Sequence, residues 1–565
     1  MESGKRLSLF SCLPVYLSTF LPRLLLWLLP LTFLGTFFFY PFARIISLTF
    51  NLATLTAENL QLTSSILGFT LYQAVLSTLL TVLLGLPSAY LFARFDFFGK
   101  SLLRALTAVP FMLPTVVVAA GFNALLGPRG WLNLTFFQSH PIPFVDTLSA
   151  ILLAHIFYNT TIVIRIVGNA LARLDPRLEH AARTLGANDL RVWWNVTLPL
   201  LRPSLLAATL LVFLFDFTSF GVILLLGGPS FSTLEVAIYI QAVKRLNLPL
   251  AALLSLIQLL CTLAFSILYT RIISRNTTQT APRSAESNIR KPRTLQERIF
   301  TFAFSFLLFI FFLSPLIALP FRSATRLEAD RAQRGEVHYG LTADYYTELF
   351  INRRGSVFYV PPIRATLNSL GYAVTTVILS LLLGLSAASA LAKPTRLERV
   401  LDPLLMLPLG ASAVTLGLGF LIAFPRLLAM PFLVPLAHTL IALPFVIRTL
   451  QPALASIPDR LRYAAASLGA SPFQVWKTVD WPILSRATLS AATFAFTVSL
   501  GEFGAAILLT RPEYPTIPVA ISRFLAQPGG LNYGQAMAMG TILLVITTLG
   551  ILLIEKLRLP GAGEF

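Results

Sequence analysis

Charge is scarce in this chain. Asp, Glu, Lys and Arg together make up 12% of the 565 residues, roughly half the share found in soluble domains. A water-soluble globular fold is excluded on that ground, and the 56% hydrophobic content points to a protein embedded in the bilayer. Cysteine is nearly absent. Cys12 and Cys261 lie far apart and offer neither a disulfide framework nor a metal cluster. Acidic residues are fewer than basic ones, 24 against 43, which leaves a net charge of +19. That excess does not signal nucleic acid, because the basic residues follow a membrane topology. Glycine and proline are scattered through the apolar runs, and the long alternation of a barrel is missing. Helices are therefore the expected spanning elements.

Apolar runs of about 20 residues, each sufficient for one crossing, fall near 24–43, 68–92, 104–126, 148–170, 204–227, 249–270, 299–320, 366–391, 403–424, 433–452, 487–509 and 535–555. With the N-terminus inside, most Lys and Arg fall on cytoplasmic segments, as the positive-inside rule requires. Most exceptions lie in the long loop 321–365, which contains Tyr345-Tyr346 and Arg353-Arg354 and should form some structure outside. Both termini are then cytoplasmic. The first run follows Lys5 and Arg6, but it is too long for a signal peptide and lacks a small-residue cleavage site. It reads as a retained anchor.

The stretch Glu179-His-Ala-Ala-Arg-Thr-Leu-Gly186 recurs 283 residues later as Arg462-Tyr-Ala-Ala-Ala-Ser-Leu-Gly469. Each copy runs on to a proline, Pro199 and Pro482, at the same distance from the glycine. Similar residues keep the offset on both sides: His155 and His438, Arg165 and Arg448, Phe220-Gly221 and Phe503-Gly504, Thr233 and Thr516. Pro110 to Gly121-Phe122 likewise matches Pro408 to Gly419-Phe420. The expected architecture is all-α and polytopic, with about twelve transmembrane helices in two parallel six-helix repeats. The first unit spans 1–273, a polar, Ser/Thr-rich cytoplasmic linker 274–298, and the second unit 299–565. The first helices of the two units show no clear likeness.

Within 175–203 and 458–486 the residues read as a short helix, a glycine turn, and a second short helix stopped by Pro199 or Pro482. Ala181-Ala182 and Ala464-Ala465 are small enough for close approach to a partner surface, and Gly186 and Gly469 permit a positive φ. These loops resemble the cytoplasmic coupling loop of ABC importer permeases, whose pattern is roughly Glu-Ala-Ala, three residues, Gly, then Leu-Pro. His180 and Tyr463 stand where that family has Glu, although Glu179 is adjacent in the first copy. The resemblance implies that the loops engage two copies of a separate ATPase subunit. It also implies an extracytoplasmic binding protein that delivers a small solute, and a place in the bacterial inner membrane. Leu226-Gly-Gly-Pro-Ser-Phe-Ser-Thr-Leu-Glu-Val-Ala-Ile-Tyr239 is similar to the thiamine and ferric-iron permeases, with thiamine favoured.

No nucleotide site is expected on the chain, and no cofactor. Gly99-Lys100-Ser101 imitates the end of a phosphate loop, but the position five residues before Gly99 is Arg94, where such a loop needs glycine. ATP and Mg belong to the partner subunit. Ionisable residues inside spans are functional candidates. Asp216 and Glu502 stand out, with Ser219 aligned to Glu502 and Asn159 as a further lining group. The two carboxylates could face one another across the pseudo-twofold axis and suit a cationic substrate, whereas Leu500-Gly-Glu-Phe-Gly-Ala505 resembles a signature shared by permeases for anions and cations alike, which implies a helix-packing or gating role for Glu502. His155 and His438 read as helix contacts rather than metal ligands. An ion-coupled secondary transporter would share the twelve spans but needs no duplicated docking loop. A membrane-embedded enzyme would need a catalytic cluster at one depth, and the sequence shows none.

Overall fold

A computed structural model describes residues 26–50, 55–228, 230–276, 289–327, 339–352, 360–392 and 394–557. Residues 277–288 of the linker, Arg353-Arg354, Lys5, Arg6 and Cys12 lie outside the described residues. The first unit runs α1 (Leu26–Thr49), α2 (Ala57–Arg94), α3 (Lys100–Met112), α4 (Thr115–Leu126), α5 (Leu148–Arg173), α6 (Pro176–Thr184), α7 (Asp189–Phe217), α8 (Gly221–Leu226), α9 (Leu234–Tyr239) and α10 (Leu248–Asn276). The second repeats the series. It runs α11 (Leu295–Ser323), α12 (Arg364–Leu391), α13 (Arg396–Gly410), α14 (Ala413–Ala423), α15 (Leu433–Ala455), α16 (Asp459–Ser467), α17 (Phe473–Gly501), α18 (Gly504–Leu509), α19 (Ile517–Leu525) and α20 (Gly530–Leu557). Ten of the helices are long and apolar enough to cross a membrane, and two bent pairs, α3–α4 and α13–α14, bring the number to twelve if each pair is one span.

Those two bent pairs coincide with the spans expected near 104–126 and 403–424, each of which is broken rather than one continuous helix. α3 and α4 meet at 114°, α13 and α14 at 95°. The first break follows from Leu113-Pro114: proline disfavours helical backbone in the residue before it, and Leu113 is extended at ψ 147. At the second, Ala411 and Ser412 are extended, and the Ser412 hydroxyl accepts from the Thr415 N–H to begin a new helix.

Pro199 and Pro482 also behave differently from expectation. Neither ends a helix. α7 and α17 run unbroken from the loops that follow α6 and α16 into the membrane, and each contains a five-residue π-helical turn, Trp193–Thr197 and Trp476–Asp480, just before the proline. The N–H of Leu198 reaches back to the Trp193 carbonyl, and that of Trp481 to Trp476. A proline in a regular helix loses one ladder bond and collides with the carbonyl four residues back. The wider π turn relieves that collision, so the rod passes the proline; it ends at Phe217 and Gly501, and α8 and α18 supply the remainder of the apolar runs that reach 227 and 509.

The first helices, unlike in sequence, are exchanged between the units. Trp27, Phe33, Leu34 and Phe38 of α1 pack in one cluster with Leu383, Phe420, Leu433 and Leu440. Reciprocally, Leu308 and Phe312 of α11 pack with Leu91, Phe122 and Phe157, the Phe157 and Phe312 rings lying 5.4 Å apart. Gly121 and Gly419 make this exchange possible. A Cβ on Gly121 would lie 2.8 Å from the Pro315 carbonyl oxygen, and one on Gly419 3.0 Å from Pro41 Cβ. Leu83 on α2 and Phe302 on α11 remain exposed and face the lipid. In the 321–365 connection, Thr325–Arg326 pairs antiparallel with Gly340–Leu341, and the following turn buries Tyr345.

Candidate transport path and docking helices

α6 and α16 bury no residue. Ala181 and Ala464 are exposed, as are His180 and Tyr463, while Ala182 and Ala465 are half-buried. Each helix ends on the expected glycine: Gly186 has φ +86 and Gly469 φ +83. The closing bonds are the same in both copies. Ala187 N–H donates to the Ala182 carbonyl and Ala470 N–H to Ala465, each at 3.1 Å, while the glycine N–H groups reach Arg183 and Ala466, each at 3.0 Å. This double bond pattern is a Schellman turn. It leaves Leu185 and Leu468 each 89% exposed at the tip, an apolar pair with no cover of its own.

Glu179 faces inward. Its carboxylate takes the Arg94 guanidinium from the end of α2 and the Thr197 hydroxyl at 3.0 Å. In the second copy the charges are exchanged. Arg462 stands at the place of Glu179 and Asp480 at that of Thr197, and they pair at 2.8 Å, with Asp459 at 3.4 Å. Pro199 and Pro482 sit directly after these braces, at the start of the membrane-bound stretch of each rod.

Where α7 and α17 end, the chain turns at Thr218–Phe220 and at Glu502–Phe503 before α8 and α18. The Phe220 and Phe503 rings meet across the units with centroids 5.3 Å apart. Beside them lies a cavity of about 350 Å³ lined by Phe111, Tyr158, Phe215, His155, Asn159 and Ser219 together with Asp216, Glu235 and Glu502. Asp216 is fully buried. Asn159 Nδ2 donates to its Oδ1 at 2.7 Å, and Thr78 Oγ1 to its Oδ2 at 3.4 Å. His155 bridges Ser77 (2.9 Å) and Ser219 (2.8 Å) and lies 3.4 Å from Asp216. In the second unit Ser499 occupies the place of Asp216 and Glu502 that of Ser219. His438 is 2.8 Å from Ser499 and 3.3 Å from Glu502. The Glu502 carboxylate also accepts the N–H groups of Ala505 (3.1 Å) and Ala506 (3.0 Å), capping α18. Both histidines therefore tie helices together. Among the described residues no group of three His, Cys, Asp or Glu could hold a metal ion.

Glu235 is the group that sequence reasoning passes over. It is buried on α9, accepts from Gln258 Nε2 of α10, and takes the Ser412 hydroxyl of the second unit at 3.1 Å. Its signal is a lone carboxylate in Thr233-Leu-Glu-Val-Ala-Ile-Tyr239, but that stretch is too short and interrupted to register as a span. Among the described residues lining this cavity, none is Lys or Arg. Three carboxylates held by neutral donors and ringed by aromatic side chains make a pocket that can take a positively charged, partly aromatic solute.

Comparison with known proteins matches residues 81–278 to the family described as binding-protein-dependent transport system inner membrane component. The thiamine transport system permease protein ThiP of Brucella abortus (strain 2308) is 30% identical over 491 residues, covering 85% of this chain and 84% of that protein. ThiP of Escherichia coli (strain K12) is 27% identical over 509 residues, 88% and 89% of the two chains. A probable ABC transporter permease protein, y4fN of Sinorhizobium fredii, is 25% identical over 515 residues, 88% of each. The family match covers the first unit only, but the relatives run through both, and the second unit repeats the helix series of the first. This chain belongs to the ABC importer permeases, as a multi-pass membrane subunit with both permease units on one polypeptide.

Proposed function

We propose that this permease carries thiamine across the bacterial inner membrane, delivered from outside by a binding protein and driven by two copies of a separate ATPase docked on α6 and α16. In this reading both termini and both docking helices face the cytoplasm. ATP and Mg are bound by the ATPase subunits alone. The observation that carries the substrate is the cavity between the Phe220–Phe503 pair and the three carboxylates. Thiamine is a monocation with two aromatic rings, and a cation about 4 Å from one carboxylate gains roughly 4 kcal/mol at an effective dielectric of 20. Desolvation offsets much of that gain, and the aromatic walls add cation–π attraction. The names of the relatives point the same way. Docking is supported by the two exposed Schellman tips, whose repeated geometry serves no purpose for a helix that only rests on lipid.

The test is reconstitution with the binding protein and the ATPase in proteoliposomes. Thiamine-loaded binding protein should raise ATP hydrolysis and load the vesicles with thiamine. Stimulation by a ferric-loaded binding protein, with thiamine inert, would transfer the substrate assignment to iron. Uptake that follows an imposed ion gradient without ATP would overturn the importer mechanism itself.

A further inference from the structure

The end of the inter-unit linker is built into the first docking apparatus. Arg290 forms a parallel bridge with Phe95: its N–H donates to the Arg94 carbonyl at 3.0 Å, and its carbonyl accepts from the Asp96 N–H at 2.9 Å. The Arg290 guanidinium lies over the Phe95 ring, 5.4 Å from its centroid, and forks the Glu297 carboxylate at 3.0 and 2.5 Å. Two-point pairing of this kind fixes orientation as well as charge. Glu297 in turn accepts the N–H groups of Arg293 (2.8 Å) and Thr294 (3.3 Å), while Thr294 Oγ1 accepts the Glu297 N–H at 3.2 Å. That reciprocal cap opens α11.

Arg290 thus joins the start of α11, the exchanged first helix of the second unit, to the end of α2. The backbone it holds is that of Arg94, whose guanidinium braces Glu179 on α6. One turn earlier on α2, the Tyr90 ring packs on Trp193 at 5.8 Å, just past the first docking helix, and on Phe300 of α11 at 6.3 Å. A continuous set of contacts therefore runs from the second unit through Arg290 and Arg94 to the first docking helix. The second docking helix is braced within its own loop by Arg462, Asp459 and Asp480, and the stretch ahead of α1 that would correspond to the strap lies outside the described residues.

We propose that residues 289–297 are a strap that positions the first docking helix, with Arg290 as a positioning residue that couples movement of α11 to α6. The proposal rests on the reading of α6 as an ATPase-docking helix. It is tested on the complete complex in proteoliposomes. Arg290→Pro removes both the bridging N–H and the guanidinium, Arg290→Ala removes the guanidinium alone, and Arg290→Lys keeps the charge. Stimulated ATP hydrolysis should fall about fivefold in Arg290→Pro and about two- to threefold in Arg290→Ala, with substantial rescue in Arg290→Lys. Unstimulated hydrolysis and the KM for ATP should stay at wild type. Arg290→Pro combined with Glu179→Gln should lose no more than the worse single change, since the bridging N–H and the Glu179 carboxylate both act through Arg94. Stimulated rates equal to wild type in both Arg290→Pro and Arg290→Ala, at matched membrane levels, would overturn the strap, as would multiplicative losses in the double variant. Should Arg290→Pro fail to reach the membrane, Glu297→Gln breaks the same fork and is read by the same criteria. A Leu185→Cys cross-link to the ATPase separates the two readings. A cross-link with inert Arg290 variants sinks the strap alone, whereas its absence sinks the docking assignment beneath it.

Discussion

The two units of this permease share a frame and differ in where they keep their charges. At the docking end, position 179 holds a carboxylate and 197 a hydroxyl; the equivalent positions 462 and 480 hold a guanidinium and a carboxylate. At the cavity end, Asp216 and Ser219 face His155 in the first unit, and Ser499 and Glu502 face His438 in the second. In every case the geometry is retained and each buried charge keeps a partner. Turn glycines, π turns and small contact residues define the frame, and a carboxylate can move along it as long as a donor is there to receive it. The energetic rule behind this is simple. Removing the partner of a buried charge costs about 3–5 kcal/mol, so a charge changes place only together with its donor.

The comparison breaks most completely at the turns both units share. Gly186→Pro or Gly469→Pro forces φ from above +80° to about −65° and should abolish substrate-stimulated ATP hydrolysis while the protein still inserts. Full transport by the double variant would show that the shared frame is not what couples the subunits. It is sharpened at the cavity. Asp216→Asn should slow thiamine uptake by about tenfold through loss of a charge–charge attraction, with assembly unaffected. Asp216→Ser with Ser499→Asp moves the carboxylate to the equivalent place in the other unit and should recover much of the rate. Equal uptake by wild type and Asp216→Asn at matched protein level would remove Asp216 from the path. The smallest effect is expected at Glu502→Gln. The amide retains one bond to the α18 N-terminus but loses the charge, which should cost about 1–2 kcal/mol and appear as a lower melting temperature with little change in substrate preference.

Much of this is legible in the residues, and the exceptions have physical causes. The duplicated loops stand out because contact with lipid gives no reason to repeat a polar pattern at fixed spacing inside apolar sequence. Asp216 and Glu502 stand out because charge is rare in a span. The bends at Pro114 and Ser412 are invisible to hydropathy, which adds up apolar area and carries no direction. Pro199 and Pro482 read as stops because the rule for proline assumes a regular ladder, and a π turn evades it. The reciprocal places of α1 and α11 leave no trace in residue likeness, since lipid and a partner helix both accept Leu and Phe. Glu235 escapes notice because it belongs to a short helix that reaches the cavity without crossing the bilayer.

The unbroken course of α7 and α17 has a mechanical consequence. Each is a 29-residue rod, roughly 43 Å long at 1.5 Å per residue, with the docking tip at one end and the Phe-Gly turn at the other. Pivoted near its middle, such a rod displaces its inner end by about 2 Å for every 5° of tilt, a distance set by its length alone. Two of them, drawn together at their docking ends, would part Phe220 from Phe503 at the other and open the carboxylate cavity between them like the jaws of a squeezed clothes-peg.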